Sequence, residues 1–420
     1  MEKLITFENG IRLCLKQNDG MYSVACGLII ESGSCFENDK NNGISHFIEH
    51  TLFKGTKRRN SYEISDCIDR VGGQMNAYTT KEYTCYYTKT TPEYVELCLD
   101  LLSDMLFNST FLEEELNKEK GVILEELAMM EDTPDDLCFE LLAKAYFGDT
   151  PIGKPIGGTA ENVKSFTKAD ILEYMARTYA PNNVIVSIAG NFDVEKAIEL
   201  TEKYFVKDNN APKYQLPVFE KVEPKSTFIN TFKDIEQCHI AFAKPSIPIN
   251  DPKIFAYMIL GNIFGGSMTS RLFRSIREDK GLAYTVYSYN STYKNDGAYV
   301  VYAGVNPKNV VEATKAIREE FIKLKKDKIT KEEFERGKAQ TIGAYLFSQE
   351  NSISTMSLYG RNLLIDGEMF DMNKRIEQMN AVSYESVIDI IDEFCDLTYA
   401  SAALVGKSDV DVLKVFKGEE

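Results

Sequence analysis

Stretches of this chain recur about 215 residues apart, and that duplication limits the fold more than any other feature. Thr91-Pro92-Glu93-Tyr94-Val95 leads into a helical pattern, and Asn306-Pro307-Lys308-Asn309-Val310 does the same 307 − 92 = 215 positions later. Val184 to Gly190, followed by Asp193-Val194, matches Ala400 to Gly406, followed by Asp409-Val410, at 406 − 190 = 216. Glu114 to Lys118 matches Glu332 to Arg336 at 334 − 116 = 218. Two copies of one domain within 420 residues suit the usual size of ~100–200 residues per domain. Between them, Val206 to Lys225 holds Pro212, Pro217 and Pro224 and a polar Lys-Asp-Asn-Asn run with no helical period. The expected organisation is therefore a domain over 1–208, a linker over 209–225 and a second homologous domain over 226–420.

Within each copy, short β-branched and aromatic runs such as Tyr83 to Thr88 and Ala298 to Val305 alternate with helical patterns such as 93–107 and 330–348. Strands joined by short turns, as 271–305 suggests, argue against a strictly parallel sheet. The expected class is α+β: two tandem homologous domains, each a mainly antiparallel sheet packed with helices.

Several function classes fall away on composition. Hydrophobic residues at 44% and charged residues at 27% describe an ordered globular chain. The longest clean apolar run, Val24 to Ile30, is far short of the ~18 residues of a membrane-spanning helix. Met1 to Lys16 shows no basic head, apolar core or cleavage site, so no export signal is expected. The net charge of 48 − 64 = −16 disfavours nucleic acid and anionic membranes and admits basic partners. Nine cysteines, an odd number with no C-x-x-C pair, point away from a disulfide framework and towards a reducing cytoplasm.

Of only three histidines, His46 and His50 lie four apart in Asn41-Asn42-Gly43-Ile44-Ser45-His46-Phe47-Ile48-Glu49-His50-Thr51-Leu52-Phe53-Lys54-Gly55. The asparagines are able to cap a helix and the glycine to end one. On that helix the two imidazoles share a face, with Cβ atoms ~5–6 Å apart, and can chelate one Zn²⁺. Glu49 falls beside the metal's open position, where it can take a proton from zinc-bound water. This is the reversed H-x-x-E-H order of the inverzincins. A catalytic zinc takes three protein ligands, so a third comes from elsewhere. The acidic pattern Phe111 to Met130 offers Glu119, Glu125 and Glu126, although such a helix is ordinarily a solvated face, and spacing does not choose among them. Val122, Ile123 and Leu124 suggest that this part of the helix is buried. His46 and His50 shifted by 215 land on Gly261 and Gly265, so the second copy cannot build the same site. His239, in the alternating run Cys238 to Phe242, is expected to be a strand residue without a metal role.

Gly43-x-x-His46-Phe47-x-Glu49-His50-x-x-Phe53-Lys54-Gly55-Thr56 resembles the signature of the insulinase, or pitrilysin, family of zinc metallopeptidases, which includes the mitochondrial processing peptidase and small bacterial relatives. The likeness extends to Glu31-x-Gly33-Ser34-x-x-Glu37, to Gly72-Gly73-x-x-Asn76-Ala77-x-Thr79 and to Glu119-x-x-Val122-Ile123-Leu124-x-Glu126, and covers nearly the whole chain. It implies one Zn²⁺ per chain held by His46, His50 and Glu126, with Glu119 as support and Glu125 outside the site. It also implies that Asn76, Ala77 and Thr79 lie in a strand that pairs with substrate. In the second copy, Gly265-Gly266-x-x-x-Ser270-Arg271-Leu272-Phe273 and Arg277-Glu278-x-x-Gly281-Leu282-Ala283-Tyr284 resemble the family's second-domain motif. By that resemblance Arg277 and Tyr284 hold the substrate and stabilise the tetrahedral intermediate; alone, Arg277 would read as a surface ion pair with Glu278 or Asp279. The implied function is zinc-dependent endoproteolysis of flexible, unfolded peptides, basic ones included, inside a homodimer in which Arg277 and Tyr284 serve the partner's zinc. The alternative is a non-catalytic scaffold or substrate-binding subunit of a heterodimer, against which stands the presence of every residue the chemistry needs.

Overall fold

The computed structural model describes residues 1–206, 213–215, 217, 219 and 221–419, so part of the 209–225 linker lies outside the described residues. The first sheet contains β1 (Glu2–Thr6), β2 (Arg12–Gln17), β3 (Val24–Ile30), β4 (Gln74–Thr79), β5 (Thr84–Thr90) and β6 (Val184–Gly190), ordered β1-β2-β6-β3-β5-β4. The second contains β7 (Phe228–Phe232), β8 (Cys238–Pro245), β9 (Ala283–Thr292), β10 (Gly297–Val305) and β11 (Ser401–Gly406), ordered β7-β11-β8-β10-β9. Shifting β3 by 215 gives 239–245, inside β8, and shifting β5 gives 299–305, inside β10. The two orders are then one order, with β1 added at an edge.

The ladders agree as well. β2 runs parallel to β6 and β7 parallel to β11, while the other pairings are antiparallel. The fold is thus α+β, two mainly antiparallel sheets packed with helices. One local expectation fails: 273–279 is a turn of π-helix, and within 271–305 the close succession of strands is confined to β9 and β10.

Central strands such as β3 and β6 are buried on both faces and read as unbroken apolar runs. On one face of the first sheet, the helix Val95–Asn108 buries Val95, Cys98, Leu99, Leu102, Met105 and Leu106, the spacing of a helical stripe. The opposite face is covered by the helix Ser352–Asp366, which comes from the far end of the sequence. Its Gly360 lies so close that an added Cβ would meet Ile29 Cδ1 at 2.0 Å, and Ser187 Oγ donates to its Met356 carbonyl at 2.8 Å.

The chain divides into two compact units. The first comprises Met1–Leu127, Lys154–Val218 and Leu346–Phe370; the second comprises Ala128–Gly153, Phe219–Tyr345 and Asp371–Glu420. The helix Pro134–Phe147 accordingly belongs with the second sheet, where Cys138, Leu142 and Tyr146 pack on Ala241, Val300 and Val405. Each unit takes a helix from the other's stretch of sequence, across the division at 209–225.

Candidate metal centre

The helix Ile44–Thr51 carries the histidine pair. Its cap is not the asparagine expected from sequence. The buried Glu37 carboxylate reaches forward, Oε2 accepting from Gly43 N–H at 2.7 Å and Asn42 Nδ2 at 2.9 Å, and Oε1 from Ser45 N–H at 2.8 Å. An anion at a helix N-terminus also meets the favourable end of the dipole. Burial pushes the Glu37 carboxyl pKa up, and these hydrogen bonds oppose that rise. Gly43 has φ 98°, and a Cβ there would sit 2.7 Å from the Gly157 carbonyl oxygen, so the entry to the helix requires glycine.

Ile44, Ser45, Phe47, Ile48 and Thr51 are buried, and His46, Glu49 and His50 form the half-buried remainder of the helix. The helix Glu113–Asp132 runs past them and buries Leu116, Glu119 and Ile123. Glu119 and Glu126, seven apart, share the face turned to the histidines. Glu125 is exposed, and Val122, expected inside, is 45% exposed.

His46, His50 and Glu126 each offer one ligand atom, and these atoms all lie within 4.8 Å of one another. His46 Nε2 is 3.8 Å and His50 Nε2 3.4 Å from the same Glu126 oxygen, Oε2. The other nitrogen of His50, Nδ1, is 3.1 Å from Glu119 Oε2. With Nδ1 donating to that carboxylate, Nε2 keeps its lone pair for a cation. Two imidazole nitrogens and a carboxylate oxygen converging on one point, with an outer carboxylate orienting one imidazole, fit a zinc ion with an open fourth position.

Burial and the neighbouring charges set the electrostatics of the site. Burial, and then the nearness of His50, lower the His46 pKa to about 4. Burial also depresses His50, but Glu119, Glu126 and Glu49 outweigh it and raise its pKa. Glu49 is raised chiefly by burial; Thr79 Oγ1 donates to its Oε2 at 2.6 Å and opposes the rise.

The model described as "Insulinase (Peptidase family M16)" matches residues 12–160, and the one described as "Peptidase M16 inactive domain" matches 165–341. A protein of Bacillus subtilis called uncharacterized zinc protease YmxG is 40% identical over 404 residues, spanning 96% of this chain and 98% of that one. The chain belongs to the M16 peptidase family. An uncharacterized zinc protease of Rickettsia felis is 35% identical over 96% of the M16 chain and 97% of its own length. A Helicobacter pylori protease of known structure superposes with a TM-score of 0.89 over 97% of the M16 chain and 99% of its own, at 22% identity, which supports the fold.

β4 is an edge strand of the M16 chain's first sheet, paired among the described residues only with β5. Thr80 N–H donates to the Tyr83 carbonyl at 2.8 Å, and counting back along the antiparallel ladder leaves the backbone groups of Thr79, Ala77 and Met75 pointing away from β5. Met75 and Ala77 pack against the first core and Thr79 touches Glu49, whereas the exposed Asn76 alternates to the other face. The Asn76 side chain nonetheless reaches the free edge, its Oδ1 accepting from Ala77 N–H at 2.8 Å.

In the second unit, the Arg277 guanidinium stands 4.9 Å from the centre of the Tyr284 ring and 4.7 Å from that of Phe273. Arg277 Nε is 3.8 Å from Glu278, and Tyr284 is 74% exposed. His239 is a β8 strand residue, its Nδ1 2.7 Å from Tyr302 OH. Sequence reasoning missed Glu37, which holds the start of the histidine helix, and Lys54, whose Nζ lies 2.7 Å from Glu119 Oε1. Glu37 left no local signal, since it acts six to eight residues ahead, whereas the four-residue spacing of Lys54 from His50 could have found the lysine.

Proposed function

We propose that the chain is a zinc-dependent endopeptidase acting on flexible peptides in extended form. The observation that carries this reading is the convergence of His46, His50 and Glu126 within 4.8 Å, with Glu49 on the next position of the same helix and held by Thr79. Zinc, when bound by those three residues, would polarise a peptide carbonyl and make a water nucleophilic near neutral pH. Glu49 takes the water's proton and returns it to the leaving amine. Thr79 holds the carboxylate of this base in place through its hydroxyl.

An extended peptide adds to the open edge of β4, using the outward backbone groups of Ala77 and Thr79. Its carbonyl replaces the Asn76 oxygen on the Ala77 N–H, so Asn76 acts at the edge and Thr79 at the base. Main-chain pairing carries little sequence information, which favours unfolded chains of broad sequence, with basic ones admitted by the net charge of −16. Arg277 and Tyr284 hold the substrate, acting on the zinc of the partner in a homodimer. Nine free cysteines favour a cytoplasmic setting, and no described helix is long and apolar enough to cross a membrane.

Zinc content measured beside cleavage of a quenched, unstructured peptide tests the first claim. Near-stoichiometric zinc with hydrolysis is expected; a metal-free, inert protein would instead favour the non-catalytic subunit of a heterodimer. Co-expressing Glu49→Gln with Arg277→Ala/Tyr284→Phe under different tags tests the second. Recovered activity in the mixed dimer supports action in trans, and an inert mixed dimer overturns it.

A further inference from the structure

We infer that Lys54 is a positioning residue of the metal centre, acting on His50 through Glu119. This rests on the zinc reading above and adds a residue to it. Lys54 follows His50 by four, one turn on, so both project on one side of the chain. The path tightens to a 3-10 turn over Leu52–Lys54 and breaks at Gly55, φ 129°, a conformation that favours glycine. Lys54 Nζ therefore comes back against the acidic helix instead of continuing away from it, 2.7 Å from Glu119 Oε1.

Glu119 is 3% exposed. Its two oxygens have separate partners, Oε1 the Lys54 ammonium and Oε2 the His50 Nδ1 at 3.1 Å. A carboxylate gripped on both oxygens has a fixed plane. One held only at Oε2 can turn about its last torsion and carry the imidazole with it. The direction of His50 Nε2 is thus set by a relay of three side chains, of which the lysine is the outermost and the most open to water, with its side chain 30% exposed. A lysine suits the end of such a relay, because its stem lies along the protein while its ammonium supplies the charge that a buried carboxylate needs.

The test is zinc affinity of the whole protein, measured by chelator competition with metal-free protein whose thermal unfolding is recorded in parallel. Lys54→Met should weaken zinc binding about 10-fold, the low end of the cost of losing a direct partner of a ligand, since the lysine acts one side chain further out. Lys54→Arg should recover most of the loss. In a Glu119→Gln background, Lys54→Met should change affinity by less than about twofold, since the residue it acts through is already altered. Zinc binding by Lys54→Met within about twofold of the parent overturns the inference, as does a full additional loss in the Glu119→Gln background. Should Lys54→Met not fold, Lys54→Gln takes its place under the same criteria. A parent protein that binds no zinc sinks the underlying reading instead, and so separates the two failures.

Discussion

The histidine helix of the first unit and its counterpart in the second put one scaffold to opposite uses. Moving 46, 49 and 50 by 215 gives Gly261, Phe264 and Gly265; moving 119 by 218 gives Gly337. In the first unit the two helices stand apart, and imidazoles and carboxylates fill the gap. In the second the gap is closed. A Cβ on Gly265 would fall 2.0 Å from Ser288 Oγ, and one on Gly337 2.6 Å from Ile263 Cγ1, so these helices press directly on their neighbours. Phe264, where the first unit has Glu49, lies in the core with Phe321 at 4.3 Å and Phe394 at 5.7 Å between ring centres. Sheet order survived duplication, while the polar gap exists in one copy only. The difference between the units is thus one of packing as much as of ligands, and installing histidines at 261 and 265 would not create a second metal centre.

The sharpest way to break this comparison is to truncate the matched pair. Glu49→Gln should cut peptide hydrolysis roughly 10²–10⁴-fold while zinc content and melting temperature hold, because it removes a base and no packing. Phe264→Ala should do the reverse in kind, costing ~3–5 kcal/mol of stability in denaturant unfolding. If Glu49→Gln melts like a core mutant, or Phe264→Ala is silent, the two positions do not differ in the way described.

A smaller effect is expected from Gly265→Ala, ~1–3 kcal/mol of destabilisation by overpacking, since Ser288 is tied to Tyr299 OH at 2.6 Å and cannot step aside freely. Unfolding no easier than the parent's would mean that the second unit can reopen its gap.

The smallest effect concerns acid. Each unit ties a carboxylate to arginine: Asp100 to Arg58 and Arg59 in the first, Glu333 to Arg271 in the second. Burial would raise both pKa values, but the arginines outweigh it and hold both low. Folded values below the unfolded ~3.9 and ~4.3 mean that the contribution is complete above those values and disappears as pH falls through the folded ones. Asp100 is buried, but its Arg58 partner is about half exposed, and Arg271 and Glu333 are both partly exposed, so each pair is worth on the order of 1 kcal/mol. Melting curves between pH 5 and roughly 3 should fall less steeply for Asp100→Asn and Glu333→Gln than for the parent, with the doubly paired Asp100 giving the larger change. An unchanged slope for Asp100→Asn would remove that site from the acid response.

Much of this was legible beforehand, for physical reasons that can be named. The β-branched and aromatic run Tyr83 to Thr88 and the apolar run of β3 are local signals, and the recurrence at 215 carried each from one copy to the other. His46, Glu49 and His50 were legible because helical spacing alone brings them together. Glu126 required the family pattern, since Glu119, Glu125 and Glu126 differ only in where the helix faces, which a single helix does not reveal. The Glu37 cap was hidden by a backbone turn through a positive φ at Gly43. The exchange of Pro134–Phe147 and Ser352–Asp366 was hidden more deeply, because an apolar helix face does not say which of two similar sheets it will cover.

That exchange also sets the order in which the molecule can be made. The first unit needs Leu346–Phe370 to cover its sheet, so the half that carries His46, His50 and Glu126 is incomplete until residue 370 has been synthesised. Domain-by-domain maturation on the ribosome, the usual course for tandem copies, is closed to this chain. Separately expressed halves would each expose an uncovered sheet.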